Sequence, residues 1–270
     1  MKLVRFISED DRVLCGLYEE ARPEEPRIIE GDVFGEFRIG KERARIRHFL
    51  PPVAPANILA IGLNYRRHAD ETGLTTPPDP VLFIKATTSA VGHGEPVLLP
   101  LVGPDRVDYE AELAVIIGKG GKNISVSAAM EQVLGYTCSN DISARDWQME
   151  KQSKQWARGK SFDTFCPLGP FLVTRDEIPD PGRLRIRAIV NGTTLQDGNA
   201  SAMIFDVPAL ISNLSRSMTL LPGTVIMTGT PEGVGFTRTP PVFLRDGDVV
   251  TVDIETIGQL TNPIRSEAAF

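Results

Sequence analysis

Apolar and polar positions alternate through the first fifty residues. KLVRFI, RVLCGLY and VFGEFRIG each predict a short strand, and together a small β-rich N-terminal unit. PPVAPAN (51–57) is proline-rich and reads as a linker. ILAIGLNY (58–65) is an apolar run ending near Gly62, which predicts a buried strand feeding a polar segment. RRHADETG (66–73) has helical composition and is closed by Gly73. VLFIKA (81–86) predicts another strand. A helix is expected over SAAMEQVLGY, capped by Ser125 or Ser127, and ISARDWQMEKQSKQW begins as helix. LRIRAIVNG and TTLQDGNA predict a hairpin turning at Asn191-Gly192. Apolar spacing over 207–218 fits one amphipathic helix. VIMTGTPEGVG runs from a strand into a glycine-rich turn, and VVTVDIE is a late strand. Strands outnumber helices and are not regularly interleaved with them. The expected class is mainly β with α (α+β), and a Rossmann pattern is excluded.

One strand carries chemistry. Side chains alternate along a strand, so in 107–117 Asp108, Glu110 and Glu112 share a face that continues into Ala114 and Ile116. The other face carries Tyr109, Ala111, Leu113, Val115 and Ile117. Both faces read as buried towards the C-terminal end, and carboxylates aimed into an interior are costly unless something positive meets them. Asp141 follows in a polar turn. Three anionic oxygens suit a hard divalent cation such as Mg2+. Zinc is disfavoured, because no HExxH or CxxC pattern occurs. The competing reading is a solvated strand face. That reading is given to Asp253 and Glu255, which repeat the spacing on what looks like a half-buried edge strand.

The chain has 270 residues, 41% hydrophobic and 24% charged, enough for one large domain plus a small one. The expected division is 1–55 and 56–270. A net charge of -6 and the broken basic run KERARIRHF argue against a nucleic-acid partner. MKLVRFISEDDR has acids by residue nine, unlike a signal peptide, and no stretch approaches a membrane span. A cytoplasmic protein is expected. Cys15, Cys138 and Cys166 read as reduced thiols, with Cys166 a packing residue.

Three further groups are candidates. His68 and Glu71, spaced i and i+3, share one side of a helix, and a carboxylate on an imidazole makes a general base. A surface ion pair is the alternative. Arg145, Gln148 and Lys160 lie downstream of Asp141 and suit the carboxylate of an anionic keto acid. A solvated charged segment is the alternative there. Trp147 and Trp156 read as packing residues. The turn TGTPEGVG (228–235) lets backbone N–H groups approach a ligand, though such turns usually only connect strands.

In order along the chain stand GLNYRRHADE, FIK, DYEAELAVIIGK, GYTCSNDISARDWQ, GKSFDTFCPLGP, VNG with Gln196 beyond it, and LLPGTVIMTGTPEGVG. Together they resemble the fumarylacetoacetate hydrolase family over most of 58–265, whereas 1–55 match only loosely. The resemblance implies a mixed β-sandwich roll and a homodimer. It implies Mg2+, or Mn2+ or Ca2+, on Glu110, Glu112 and Asp141. It places Lys160 and Thr230 near metal and substrate oxygens, Arg145, Gln148 and Lys85 on the substrate, and His68 with Glu71 as activators of water. Some members carry a further acidic ligand seven residues before the histidine. Ile61 stands there in this chain, which favours the three-carboxylate branch. The stretch from RDWQ to GKSFDTFCPLGP looks closest to the acylpyruvase and 2-hydroxyhepta-2,4-diene-1,7-dioate isomerase branch. The implied reaction is hydrolysis of a C–C bond in a 2,4-dioxo acid through an enolate. Isomerisation of the heptadienedioate type and oxaloacetate decarboxylation on the same site are the alternatives.

Overall fold

The computed structural model describes residues 1–268. The N-terminal unit forms β1 (Lys2–Ser8), β2 (Val13–Leu17), β3 (Arg27–Gly31), β4 (Phe37–Arg43) and β5 (Ile46–Phe49). Then come β6 (Ile58–Gly62), α1 (Arg66–Glu71), β7 (Val81–Lys85), β8 (Ala90–Val91) and β9 (Val97–Leu99). The acidic segment gives β10 (Val107–Asp108) and β11 (Ala111–Ile117), followed by α2 (Val126–Ala129) and β12 (Val133–Asn140). β13 (Ser143–Ala144), α3 (Arg145–Met149), α4 (Trp156–Lys160) and β14 (Cys166–Thr174) come next. The chain ends with β15 (Arg185–Val190), β16 (Thr193–Asn199), α5 (Val207–Ser217), β17 (Val225–Met227), β18 (Val249–Ile254) and β19 (Gly258–Ser266).

The fold is mainly β. One sheet runs β4-β3-β2-β1-β14-β12-β11-β17-β6-β7, with β5 on β1 and β8 on β14. A second runs β16-β15-β18-β19-β9. Between the sheets lies a core holding Leu113, Val115 and Ile117 of β11 with Ile186, Val252 and Leu260 of the second sheet. The opposite face of the large sheet buries Ala114 and Ile116 with Ile58, Val225, Met227 and Leu168. Every side chain of β11 is buried, as both faces of its pattern require. Each of its large aliphatics contributes about 1.5–3 kcal/mol on burial, so one strand can offset the cost of an interior carboxylate. Among the described residues, no helix is long and apolar enough to cross a membrane.

Several expectations are met by named elements. Asn191 (φ 50°) and Gly192 (φ 80°) turn the β15–β16 hairpin, both in the left-handed region that a two-residue hairpin turn demands. Ser125 caps α2, its hydroxyl accepting from the Ala128 amide at 3.3 Å, but the helix expected through SAAMEQVLGY is cut short, since α2 ends at Ala129 and VLGY opens β12. α5 occupies the periodic segment and buries Leu210, Ile211 and Leu214.

Three more expectations need correction. The strand expected over 107–117 is broken: Tyr109 and Glu110 belong to neither β10 nor β11. Side chains replace the missing ladder bonds there, Asn140 Oδ1 accepting from the Glu110 amide at 3.0 Å and Gln196 Oε1 from the Ala111 amide at 2.9 Å. β18 is no edge strand, for β15 and β19 flank it. Asp253, read as solvated, pairs with Arg187 across the β15–β18 register, while Glu255 is exposed. The proline-rich segment is packed at its start, where Pro51, Pro52 and Val53 are buried, and β1 joins β14 within the large sheet.

Candidate active site

β11 and β12 pair antiparallel, with Ala111 opposite Asn140 and Glu112 opposite Ser139. That register puts Asp141, one residue past the end of β12, beside Glu110. The Asp141 amide donates to the Glu110 carbonyl at 2.8 Å. Carboxylate oxygens of Glu110, Glu112 and Asp141 then lie within 4.8 Å of one another, all three residues buried. Glu110 joins this group on the face the alternation predicts, whereas Asp108, beyond the break at Tyr109–Glu110, does not.

Three buried cations answer these acids. Lys160 Nζ donates to Glu110 Oε2 at 2.8 Å and to Asp141 Oδ2 at 2.5 Å. Arg145 lies 2.7 Å from Glu110 Oε1 through Nη1 and grips Asp108 Oδ2 through Nε and Nη2 at 3.0 and 2.8 Å. Lys85 Nζ pairs with Asp141 and donates to the Phe165 carbonyl at 2.8 Å. Four buried carboxylates thus face three cations, and Glu112 is the one left over. Its hydrogen-bond donor is the Gly229 amide at 2.9 Å, and among the described residues no cation pairs with it. Burial, with the charges of Asp141 and Glu110, pushes the Glu112 carboxyl well above the usual carboxylate range. Burial acts in the same sense on Glu110, but Lys160 and Arg145 outweigh it and hold that carboxyl below the usual range. Burial would neutralise Lys160, yet Asp141 and Glu110 keep its ammonium charged. A hard divalent cation fits this donor set. Three hard oxygen ligands converge, and one carboxylate lacks the positive partner that ionisation in an interior requires.

α1 covers the group. β6 ends at Gly62, Leu63 takes a left-handed φ of 55°, and Asn64 then anchors the turn. Asn64 Nδ2 donates to the Thr228 carbonyl at 2.7 Å and to the Phe205 carbonyl at 3.0 Å. One turn on, His68 Nδ1 lies 2.7 Å from Glu71 Oε1. The carboxylate can only accept, so Nδ1 carries the proton and Nε2 is the basic nitrogen. His68 is 7% exposed, so this is no surface ion pair.

A solvent-open cleft with about 590 Å³ of empty space joins these groups. His68, Glu110, Arg145, Gln148, Lys160 and Thr230 line its polar side, and Leu74, Phe83, Met149, Trp156 and Phe236 its apolar side. Gln148 Oε1 accepts from Arg145 Nη1 at 2.9 Å. Thr230 Oγ1 donates to the Ala111 carbonyl at 2.9 Å and accepts from Gln196 Nε2 at 2.7 Å. The structure thus gathers the ten sequence-derived residues around one cleft: six line it, Glu112, Asp141 and Lys85 lie beneath it, and Glu71 stands behind His68. Lys85, expected on the substrate, lies outside the lining and turns its ammonium to Asp141 instead. Trp156, read as packing, packs edge-on to Phe83 and also walls the cleft, while Trp147 packs on Phe162 away from it.

Sequence reasoning left Asp108 and Gly229 without roles. Asp108 holds Arg145, and Gly229 supplies the Glu112 donor. Both depend on loops far along the chain, and the glycine-rich turn 228–235 hinted at the second. Gly62 bears on the cleft directly, since a Cβ there would lie 2.4 Å from Trp156 Cζ3. Gly62→Ala must therefore displace the indole that walls the cleft. Overpacking of this kind costs about 1–3 kcal/mol, and a KM rise of roughly tenfold with a smaller change in kcat is expected from steady-state kinetics.

Known proteins resemble this chain in sequence and in fold. Over 222 residues the chain is 50% identical to an oxaloacetate tautomerase of Xenopus laevis, covering 82% of this chain and 69% of that protein. A human oxaloacetate tautomerase is 46% identical over 222 residues, with 82% and 70% covered. The crystal structure of a 2-hydroxyhepta-2,4-diene-1,7-dioate isomerase from Mycobacterium marinum is similar across 100% of both chains, with a TM-score of 0.85 and 39% identity. A fumarylacetoacetate hydrolase from Exiguobacterium antarcticum gives a TM-score of 0.87 and 37% identity, with 99% of this chain and 100% of that one covered. The family described as fumarylacetoacetate (FAA) hydrolase C-terminal matches residues 57–265, three quarters of the chain and every residue of the site. With the fold, the carboxylate group and the dyad in place, the chain belongs to the fumarylacetoacetate hydrolase family.

Proposed function

We propose that this enzyme moves a proton at the carbon next to the 2-oxo group of a 2-oxo acid, interconverting keto and enol forms of an oxaloacetate-type substrate. The observation that carries the reading is the buried His68–Glu71 pair, a base of fixed tautomer facing a cleft that also presents Lys160 and Arg145. The names of the tautomerases that share 46–50% identity support the same choice. A divalent cation on Glu110, Glu112 and Asp141, with Mg2+ the first candidate, would supply Lewis-acid stabilisation of negative charge on substrate oxygens.

The protein groups divide the remaining work. Lys160 has three N–H donors and uses two on Glu110 and Asp141, leaving one for the cleft. Arg145, fixed by Asp108, and the Gln148 side-chain amide orient the substrate carboxylate, while Thr230, whose one proton lies on the Ala111 carbonyl, lines the cleft beside them. His68 Nε2 takes the proton from carbon, the electron pair passes to the 2-oxo oxygen, and the returned proton completes the enol. Glu71 stabilises the imidazolium in between.

A second reading, hydrolysis of an acylpyruvate, is favoured by the apolar wall of Leu74, Phe83, Met149 and Trp156, which suits an acyl chain better than a second carboxylate. There the dyad would take its proton from water. Isomerisation of a dienedioate and decarboxylation of oxaloacetate share the enolate and differ in its fate.

Purified protein should accelerate the loss of oxaloacetate enol absorbance with Mg2+ and not with EDTA, and His68→Ala should lower kcat by about 10²–10⁴-fold. Oxaloacetate enol decaying at its uncatalysed rate, while acetylpyruvate is cleaved to two acids, would replace tautomerisation by hydrolysis.

A further inference from the structure

The turn Glu232–Thr237 touches both halves of the site. On one side its Gly233 amide donates to Glu71 Oε2 at 2.9 Å, with Thr237 Oγ1 3.3 Å from the same oxygen. On the other, the amides of Gly235 and Phe236 donate to Asp108 at 2.8 and 3.0 Å, and the Phe236 ring lies 4.2 Å from the Arg145 guanidinium. The turn itself is held. Gly233 has a φ of +100°, and a Cβ there would lie 2.5 Å from the Leu195 carbonyl oxygen. Its own carbonyl accepts from Tyr109 Oη at 3.1 Å and from Arg238 Nε at 3.3 Å. The geometry leaves Glu71 with one oxygen on His68 and the other on this turn.

We propose that the turn is the catch that fixes the imidazole of α1 over the carboxylate group, with Thr237 a positioning residue acting through Glu71. The proposal rests on the dyad reading above. The Thr237 hydroxyl has one proton and two acceptors, Glu71 Oε2 and the Val234 carbonyl at 3.0 Å. Its bond to Glu71 is therefore shared, and the Gly233 amide is the firmer half of the catch. Arg67 and Glu232, 3.2 Å apart, add a pair at the rim, where Arg67 is 80% exposed and the pair contributes little.

The test is a mutant cycle on the full-length enzyme, with kcat and KM measured for keto–enol conversion and melting temperature as the fold control. Thr237→Val keeps the shape and removes the hydroxyl. A shared hydrogen bond to a charged group predicts a kcat loss of about 5–20-fold with KM within about twofold. Thr237→Ser should restore kcat. In a Glu71→Ala background, itself much slower, Thr237→Val should cost nothing further, because its partner is gone. Thr237→Ala serves as a second hydroxyl-free variant if the valine disturbs the turn. Wild-type kcat in both hydroxyl-free variants overturns the catch, and so does an equal loss with and without Glu71. Full activity in Glu71→Ala alone would instead sink the dyad reading, so the two failures are distinguishable.

Discussion

Glu112→Gln is expected to lower turnover by about 10³-fold while raising the melting temperature of the metal-free protein, since removal of one preorganised electrostatic group alone costs about 10²–10³-fold. The two effects have one cause. Glu112 is 1% exposed, has the Gly229 amide as its donor, and stands among carboxylates whose cations are already shared. Glutamine keeps the shape and can still accept from Gly229, but it offers a cation no negative charge. In Mg2+ the wild type should gain stability by mass action, about 2.7 kcal/mol at a hundred times Kd, and the variant should lose most of that gain. In EDTA the order should reverse. Burial and the neighbouring carboxylates raise the folded carboxyl above its unfolded value, so Glu112 takes up a proton on folding. Its contribution to stability is present below the ordinary glutamate range and fades as pH rises from there through the raised folded value. Glutamine has no such proton. The advantage of the variant should therefore widen towards alkaline pH, by about 2–4 °C for each kcal/mol recovered. A variant that melts below the wild type in EDTA at alkaline pH, or that keeps the full Mg2+ response, would refute this account of Glu112.

The contrast between Glu112 and its neighbours shows what the sequence could and could not disclose. The acidic positions of 107–117 stand out because residues 113–117 are apolar on both faces, and period-two patterning is a property of one strand. Asp141 adds to them because β12 returns antiparallel beside β11, although residues 118–132 and α2 stand between the two strands. The remaining contacts join distant segments. Lys85 and Asp141 are 56 positions apart, and nothing in FIK tells that the ammonium turns beneath the cleft and away from it. Asp253 reads as solvated because its partner Arg187 stands on another strand, brought opposite only by the β15–β18 register. The break at Tyr109–Glu110 is invisible for the same reason, since Asn140 and Gln196 supply its hydrogen bonds from elsewhere in the fold. Local periodicity survives translation into structure, and long-range polar pairing is set by topology.

Asp108 is the strongest case of such pairing, and Asp108→Ala should be the most destabilising single change in the site. The carboxylate is fully buried. Oδ2 accepts from Arg145 Nε and Nη2 and from the Phe236 amide, and Oδ1 from the amides of Gly235 and Tyr109, both at 2.8 Å. Alanine would leave a guanidinium that is 2% exposed with Glu110 as its remaining carboxylate partner and its Nε and Nη2 donors unpaired, together with three backbone donors. Breaking a buried ion pair from one side costs about 3–5 kcal/mol, against a total stability of about 5–15 kcal/mol for a typical domain. A fall of roughly 10 °C or more in melting temperature is expected from about 2–4 °C per kcal/mol. The asymmetry of such pairs gives the sharper test. Asp108→Leu combined with Arg145→Met removes both charges, and Glu110 keeps Lys160 at 2.8 Å. That double variant should recover part of the lost stability, though not activity, because Arg145 faces the cleft. If instead the single variant melts within about 2 °C of the wild type, less than 1 kcal/mol on the same scale, Asp108 is not what holds Arg145. If the double variant is as unstable as the single one, the stranded charge is not the cause of the loss, and the broken turn at Gly235–Phe236 is.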